Sequence, residues 1–309
     1  MAHAVVPEVR HPLADAAAAA AEAAAQAGGV RVRELHELAE LEQLCLIYQG
    51  IWRADPAVGP MVTTEWLRAL AHAGNFVSGA YAGETLVGGC IGFFAAPVGR
   101  ALHSHVAGVA ADMRGRNVGF ALKLHQRAWA LRRGITDITW TFDPLVRRNA
   151  YFNLAKLGAL PVAYLTNFYG SMSDQINAGE ESDRILIGWR LEADSVVRAC
   201  AGQPHETDVA ALLAGGAVVG LDMDDTGRPV LGSAAADVVL VAVPPDVERL
   251  RLEDRKVAQA WRLALREVLG GLLDKGAAVT GFAREGWYVV ARQGGRQEVL
   301  GVARTPECR

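Results

Sequence analysis

With 309 residues, 51% of them hydrophobic and 21% charged, the chain carries enough apolar material for one large core or two modest ones. Lys and Arg number 31 against 34 acidic residues, a formal charge of −3, so no global positive field draws the chain to nucleic acid or anionic lipid. Cys45, Cys90, Cys200 and Cys308 lie far apart with no C-x-x-C pair and no clustered histidines. That excludes a zinc site and a dense disulfide framework and fits a reducing, cytoplasmic compartment.

In chain order, the run Ala16 to Ala21 is flanked by Asp15 and Glu22 and is too weakly apolar for a signal or a membrane span, so residues 1–29 read as a flexible, alanine-rich tail, either a frayed helix or disordered. Val30 to Leu35 alternates apolar and polar and predicts a first strand. Leu38, Leu41, Cys45, Tyr48 and Trp52 recur at spacings of three and four and predict a helix broken by Pro56 and Pro60. A second helix is expected from Thr64 to His72, capped by Thr63 or Thr64. Asn75–Tyr81 and Leu86–Phe94 read as a hairpin, and His103–Ala110 as a further strand. The helix that follows has Val118, Leu122, His125 and Trp129 on one face, Lys123 and Arg127 on the other, and Gly134 as its stop. Ile135–Phe142, a short helix from Asn149 to Leu157, and Arg184–Leu191 complete a succession of strand, two helices, hairpin, strand, helix, strand, helix, strand.

The strand ending near Ala110 runs into Arg114-Gly115-Arg116-Asn117-Val118-Gly119 and then an amphipathic helix. Free backbone N–H groups and the positive end of a helix dipole converge at such a point, which suits a phosphate. Gly115 and Gly119 let a bulky diphosphate approach the main chain, and Arg114 and Arg116 add charge. Here the chain resembles the GNAT superfamily of acyl-CoA N-acyltransferases, whose signature is [Q/R]-x-x-G-x-[G/A] between a strand and a helix. Arg114 takes its first position and Gly119 its last; Asn117 replaces the middle glycine and is the residue that best tolerates positive φ in its stead. Val109 to Gly115, Leu122, and downstream Ala150, Lys156, Leu157 and Gly158 extend the likeness over about residues 30–195. Thr141 to Leu145, Asn149 to Ala159 and Asn167 to Gly170 look like a longer bacterial branch of predicted acetyltransferases.

The resemblance implies an α/β (α+β) fold with a mixed, splayed central sheet flanked by helices. It further implies acetyl-CoA or another short acyl-CoA as co-substrate, its pantetheine arm pairing with one of two strands that part beside the cofactor helix. Ala107 and Val109 would offer backbone N–H to the thioester carbonyl, and Arg114 to Phe120, with Asn149, would hold the rest of the nucleotide. The acceptor would be the amine of a small molecule or amino acid, attacking directly. For its proton, His105 is the first candidate base, with His103 on the same face and Asp143 at the end of the next strand; either histidine alone can equally fill the sheet face. The tyrosine that often protonates the departing thiolate falls on Leu154. Tyr151, one turn earlier, and Tyr169 are the alternatives, and Tyr151 reads equally as a packing residue. Asn167 could meet a polar substrate, and Arg147 and Arg148 grip the adenosine phosphates, meet an acidic acceptor, or stay solvated. A non-catalytic CoA-binding module is the other reading, favoured by Asn117 and the absent tyrosine.

A boundary near 200 divides an acyltransferase domain, 30–200, from a C-terminal α/β extension, 201–309. The extension's strand Val238–Val243, helix Glu253–Asp274 and strand Ala278–Phe282 read as a degenerate half-repeat without a phosphate cradle. Its expected work is to complete the sheet, cap the cleft or form a homodimer, with Arg249, Arg251 and Arg255 in reach of the cofactor.

Overall fold

The computed structural model describes residues 12–52, 59–170 and 180–292; the first residues of the expected tail, Pro56, Cys308 and the end of the C-terminal extension lie outside them. Helix α1 (Ala14–Ala27) leads into β1 (Arg31–Glu34), α2 (Leu38–Trp52) and α3 (Thr64–His72). Strands β2 (Phe76–Ala82), β3 (Thr85–Ala95) and β4 (Ala101–Val109) precede α4 (Val118–Leu131) and β5 (Asp137–Phe142). A short α5 (Arg147–Tyr151) continues as a π-helical turn, Phe152–Lys156, before β6 (Leu160–Leu165), β7 (Arg184–Arg190) and α6 (Asp194–Cys200). The rest comprises α7 (Val209–Ala214), β8 (Val218–Met223), β9 (Pro229–Leu231), β10 (Val238–Ala242), α8 (Val247–Glu253), α9 (Arg255–Leu265), α10 (Gly271–Asp274), β11 (Ala278–Ala283) and β12 (Trp287–Ala291).

The first sheet has the order β1-β2-β3-β4-β5-β7-β6 and is antiparallel except where β4 meets β5. The second, β11-β12-β10-β8-β9, is antiparallel except where β10 meets β8. The extension therefore builds its own sheet and does not complete the first. In the first sheet α4 joins two adjacent parallel strands, whereas β12 lies between β10 and β11 in the second, so the expected half-repeat is not reproduced in strand order.

Residues 14–27 are not a frayed tail. Ala14, Ala17, Ala21 and Ala25 are buried at spacings of three and four, and α1 packs along α4. Methyl groups alone let two helix axes approach closely, so an alanine face with little transfer energy per residue still makes a seam. Cover from α1 on one side and the sheet on the other leaves α4 little solvent face. Lys123, Gln126 and Arg127 are buried, against the expectation that Lys123 and Arg127 face outward. Arg127 donates through Nε and Nη2 to the Leu191 carbonyl, at 3.1 and 2.7 Å. One large apolar core runs from α1 and α4 through the first sheet into α9 and the second sheet; a smaller one lies beneath α2 and α3.

Candidate active site

After β4 a single 3-10 turn, Ala111–Met113, feeds the loop into α4. Gly115 has φ 80°, and Asn117 has φ 59° and ψ 14°, the left-handed conformation that glycine would otherwise supply. Asn117 stands at the N-cap position but caps nothing, because its Oδ1 accepts from Lys156 Nζ at 2.7 Å. The first bond of the helix runs from Ala121 N to Asn117 O, so the amides of Val118, Gly119 and Phe120 have no carbonyl one turn back. A Cβ placed on Gly115 or Gly119 would meet nothing within 4 Å, and Arg114 to Asn117 are exposed. Open amides, the helix dipole, two arginines and Lys156 make this end of α4 a place for an anion. Lys156 was legible as a motif match, but only the fold shows it beside the loop.

Beside the loop the sheet opens. Strands β4 and β5 pair only over Ala101–His103 and Asp137–Thr139, after which each runs on without the other. Opposite Ile91 and Gly92 the register of β4 jumps from Val106 to Ser104, leaving His105 as the extra residue of a β-bulge where the strands part. Ala110 N donates to Val87 O, on the β3 side. N–H directions alternate along a strand, so those of Ala107 and Val109 point the other way, into the opening.

One wall of the opening is aromatic. The His105 ring lies 5.8 Å from those of Trp66 and Phe93 and 6.1 Å from that of His103. Burial among these rings lowers the His105 pKa, although its edge reaches solvent. His103 is set deeper, with Nδ1 3.1 Å from Thr139 Oγ1; burial, then His105 and Lys123, take it to about 4. Both imidazoles are neutral at pH 7. Further along, the Tyr169 hydroxyl lies 3.1 Å from Thr141 Oγ1.

No protein-family model and no curated protein matches the chain. Solved structures do match its N-terminal half. One is a diaminobutyrate acetyltransferase, EctA, of Paenibacillus lautus, solved with L-2,4-diaminobutyric acid and coenzyme A: 13% identity, 53% of this chain, 97% of that one, TM-score 0.42. An acetyltransferase of the GNAT family from Streptococcus pneumoniae matches at 14% identity, 52% and 98% coverage and TM-score 0.43. An aminoglycoside 6'-acetyltransferase type Ii matches at 18%, 53%, 98% and 0.43. The first sheet is GNAT-like.

Asp143 is not free to act as a base. It is 8% exposed, its Oδ1 accepts from Leu145 N at 3.0 Å, Arg262 grips it at 2.7 and 2.8 Å, and Arg251 donates to it at 2.5 Å. Burial alone would raise its pKa, but the Arg262 and Arg251 guanidinium groups outweigh it and hold the carboxyl well below the usual range. Tyr151 is half-buried and its hydroxyl accepts from Arg284 Nη2 at 3.0 Å, which turns it toward the second lobe. Arg147 donates to the Arg284 carbonyl and Arg148 pairs with Glu248, so both arginines bind the second lobe, not a phosphate. Asn149 is half-buried on α5. The Asn167 side-chain oxygen is taken by Ser182 N at 3.2 Å and is not offered to a substrate. Arg251 is spent on Asp143 and Glu180, and Arg249 on Glu253. Leu154, which the sequence resemblance sets at the acid position, is 2% exposed in the core. Among the described residues no group of three His, Cys, Asp or Glu is placed to hold a metal, and no helix is long and apolar enough to cross a membrane.

Proposed function

We propose that this chain transfers an acetyl or other short acyl group from acyl-CoA to the amine of a small molecule or amino acid, which attacks the thioester directly. The observation that carries the reading is the meeting of two features: uncapped amides at the start of α4, and a gap between β4 and β5 lined by free backbone N–H. The amides of Val118, Gly119 and Phe120, with Arg114, Arg116 and Lys156, hold the diphosphate. The Ala107 and Val109 N–H groups hold the acyl carbonyl where negative charge develops on its oxygen. His105, neutral and at the mouth of the gap, accepts the amine's proton. Tyr169 and Thr141 line the acceptor side. Bound acyl-CoA supplies the activated acyl group.

The test is release of CoA thiol from acetyl-CoA across a panel of primary amines. His105→Ala is expected to lower kcat by about 10²–10⁴-fold while leaving calorimetric CoA affinity within about twofold. CoA binding without thiol release for any amine would favour the second reading, a CoA-binding module, to which the buried Leu154 and the engaged Tyr151 hydroxyl lend support.

A further inference from the structure

Lys123 is a cation in a place that asks for an explanation. An ammonium removed from water is costly unless an anion answers it, and this one is 4% exposed. Its Nζ donates to Ser104 Oγ at 3.0 Å and to Gln126 Oε1 at 2.7 Å. Otherwise it faces indoles, 3.8 Å from the ring centroid of Trp140 and 5.3 Å from that of Trp189. No carboxylate of the described residues pairs with it. Of its three N–H donors, two end on oxygen and the third has only an aromatic face.

Its position is informative. Ser104 is the first residue of β4 beyond the last pair with β5, and Trp140 is the residue that would oppose it had the pairing gone on. The ammonium therefore stands at the floor of the gap, one residue from the bulge at His105. The groups facing it are Cys90 from β3, Ser104 and His103 from β4, Trp140 from β5, Trp189 from β7 and Gln126 from its own helix. None of them is an anion at neutral pH: burial pushes the Cys90 thiol up and His103 down.

Resting on the acyl-transfer reading above, we infer that the counter-charge of Lys123 is the sulfur of the thioester as it leaves. The amine nitrogen bonds to the acyl carbon, the carbon–sulfur bond breaks with its electron pair on sulfur, and the charge develops beside an ammonium that keeps its proton. The proton shed by the amine passes to His105 and then to water, and the departing thiolate takes one from water. Charge stabilisation thus stands in for the proton that a tyrosine at position 154 would give. Burial lowers Lys123 to about 8, and an adjacent thiolate would hold it charged.

The test uses CoA itself and needs no acceptor. Thiolate absorbance is followed against pH for CoA bound to the wild type, to Lys123→Met and to Lys123→Gln, with calorimetry at each pH to confirm occupancy and circular dichroism to confirm folding. In the wild type the bound thiol is expected to titrate about 1–3 pH units below its free value, the effect of an opposite charge close by. Both variants are expected to bind CoA within about tenfold of the wild type and to lose that shift. A wild-type thiol that titrates at its free value, or a shift that survives both substitutions, overturns the inference while leaving the acyl-transfer reading intact. Should a variant fail to fold, the wild-type titration and the other variant still decide. Wild type that binds no CoA overturns the reading beneath, and the inference with it.

Discussion

Lys123 and Asp143 are both buried charges with lowered pKa values, so each makes stability rise with pH, Lys123 by relief of a penalty and Asp143 by gain of a favourable charge. Burial lowers Lys123 from 10.5 to about 8, so between those values the unfolded chain binds more protons than the folded one. The penalty for burying the ammonium is therefore full below about pH 8, amounts to about 3 kcal/mol, and is relieved as pH rises towards about 10.5. Lys123→Met, of similar volume, should remove this dependence. In urea unfolding the wild type is expected to gain stability relative to the variant from pH 8 to 10, and parallel pH profiles would contradict a charged, buried Lys123. Asp143 acts in the acid range: its depressed pKa contributes stability above about pH 3.9 that is lost as pH falls further. Asp143→Asn leaves two buried guanidinium groups short of their anion, and the expected loss is about 3–5 kcal/mol at pH 7. That difference should shrink as the pH is taken below about 4, measured by the same unfolding curves.

At the scale of elements, α1 is a seam made of methyl groups. Ala17 is 1% exposed against α4, and Ala17→Glu would bury a charge there or expel the helix. A loss of about 2 kcal/mol or more is expected, with faster amide exchange over residues 14–27; unchanged protection would show that α1 contributes nothing to α4. This helix was the hardest to read in the sequence, because a continuous alanine run has no polar face to set its period. Strand β6 escaped notice for a related reason: Pro161 argues against a strand, yet β6 is the edge of the sheet, where a missing donor is tolerated. Conversely α2, α3 and the β2–β3 hairpin lie where spacing and turn residues placed them, since each is patterned by one core face. The loop before α4 was legible through Gly115, Asn117 and Gly119. The bulge at His105 and the burial of Lys123 were not, because both depend on where β4 and β5 part.

Across the whole molecule, four carboxylates of the first lobe, Asp143, Glu180, Glu181 and Asp183, meet three arginines of the second. Asp143 takes Arg251 and Arg262, and Asp183 takes Arg266 at 2.7 and 2.9 Å while also accepting from Tyr164 at 2.7 Å. Tyr288 donates to the Pro144 carbonyl at 2.8 Å, and the large core is shared by both sheets. The boundary expected near residue 200 is thus a seam of packed and paired groups, although nothing around it in sequence announces which partners meet. The two sheets should unfold in a single transition, with coincident fluorescence and circular-dichroism curves; Asp143→Asn is where two transitions would first separate.

The proposed function turns on the open amides at the start of α4. A side chain at Gly119 would point into empty space and an acid in the first turn suits the helix dipole, so Gly119→Glu should fold and melt like the wild type. Its carboxylate would nonetheless oppose a diphosphate. Calorimetric titration with CoA is the direct measurement: wild type is expected to bind and Gly119→Glu to bind at least about a hundredfold more weakly, the effect of about 3 kcal/mol of like-charge repulsion. Equal affinity for the two proteins, or no binding by the wild type, would contradict the placement of the diphosphate at this loop.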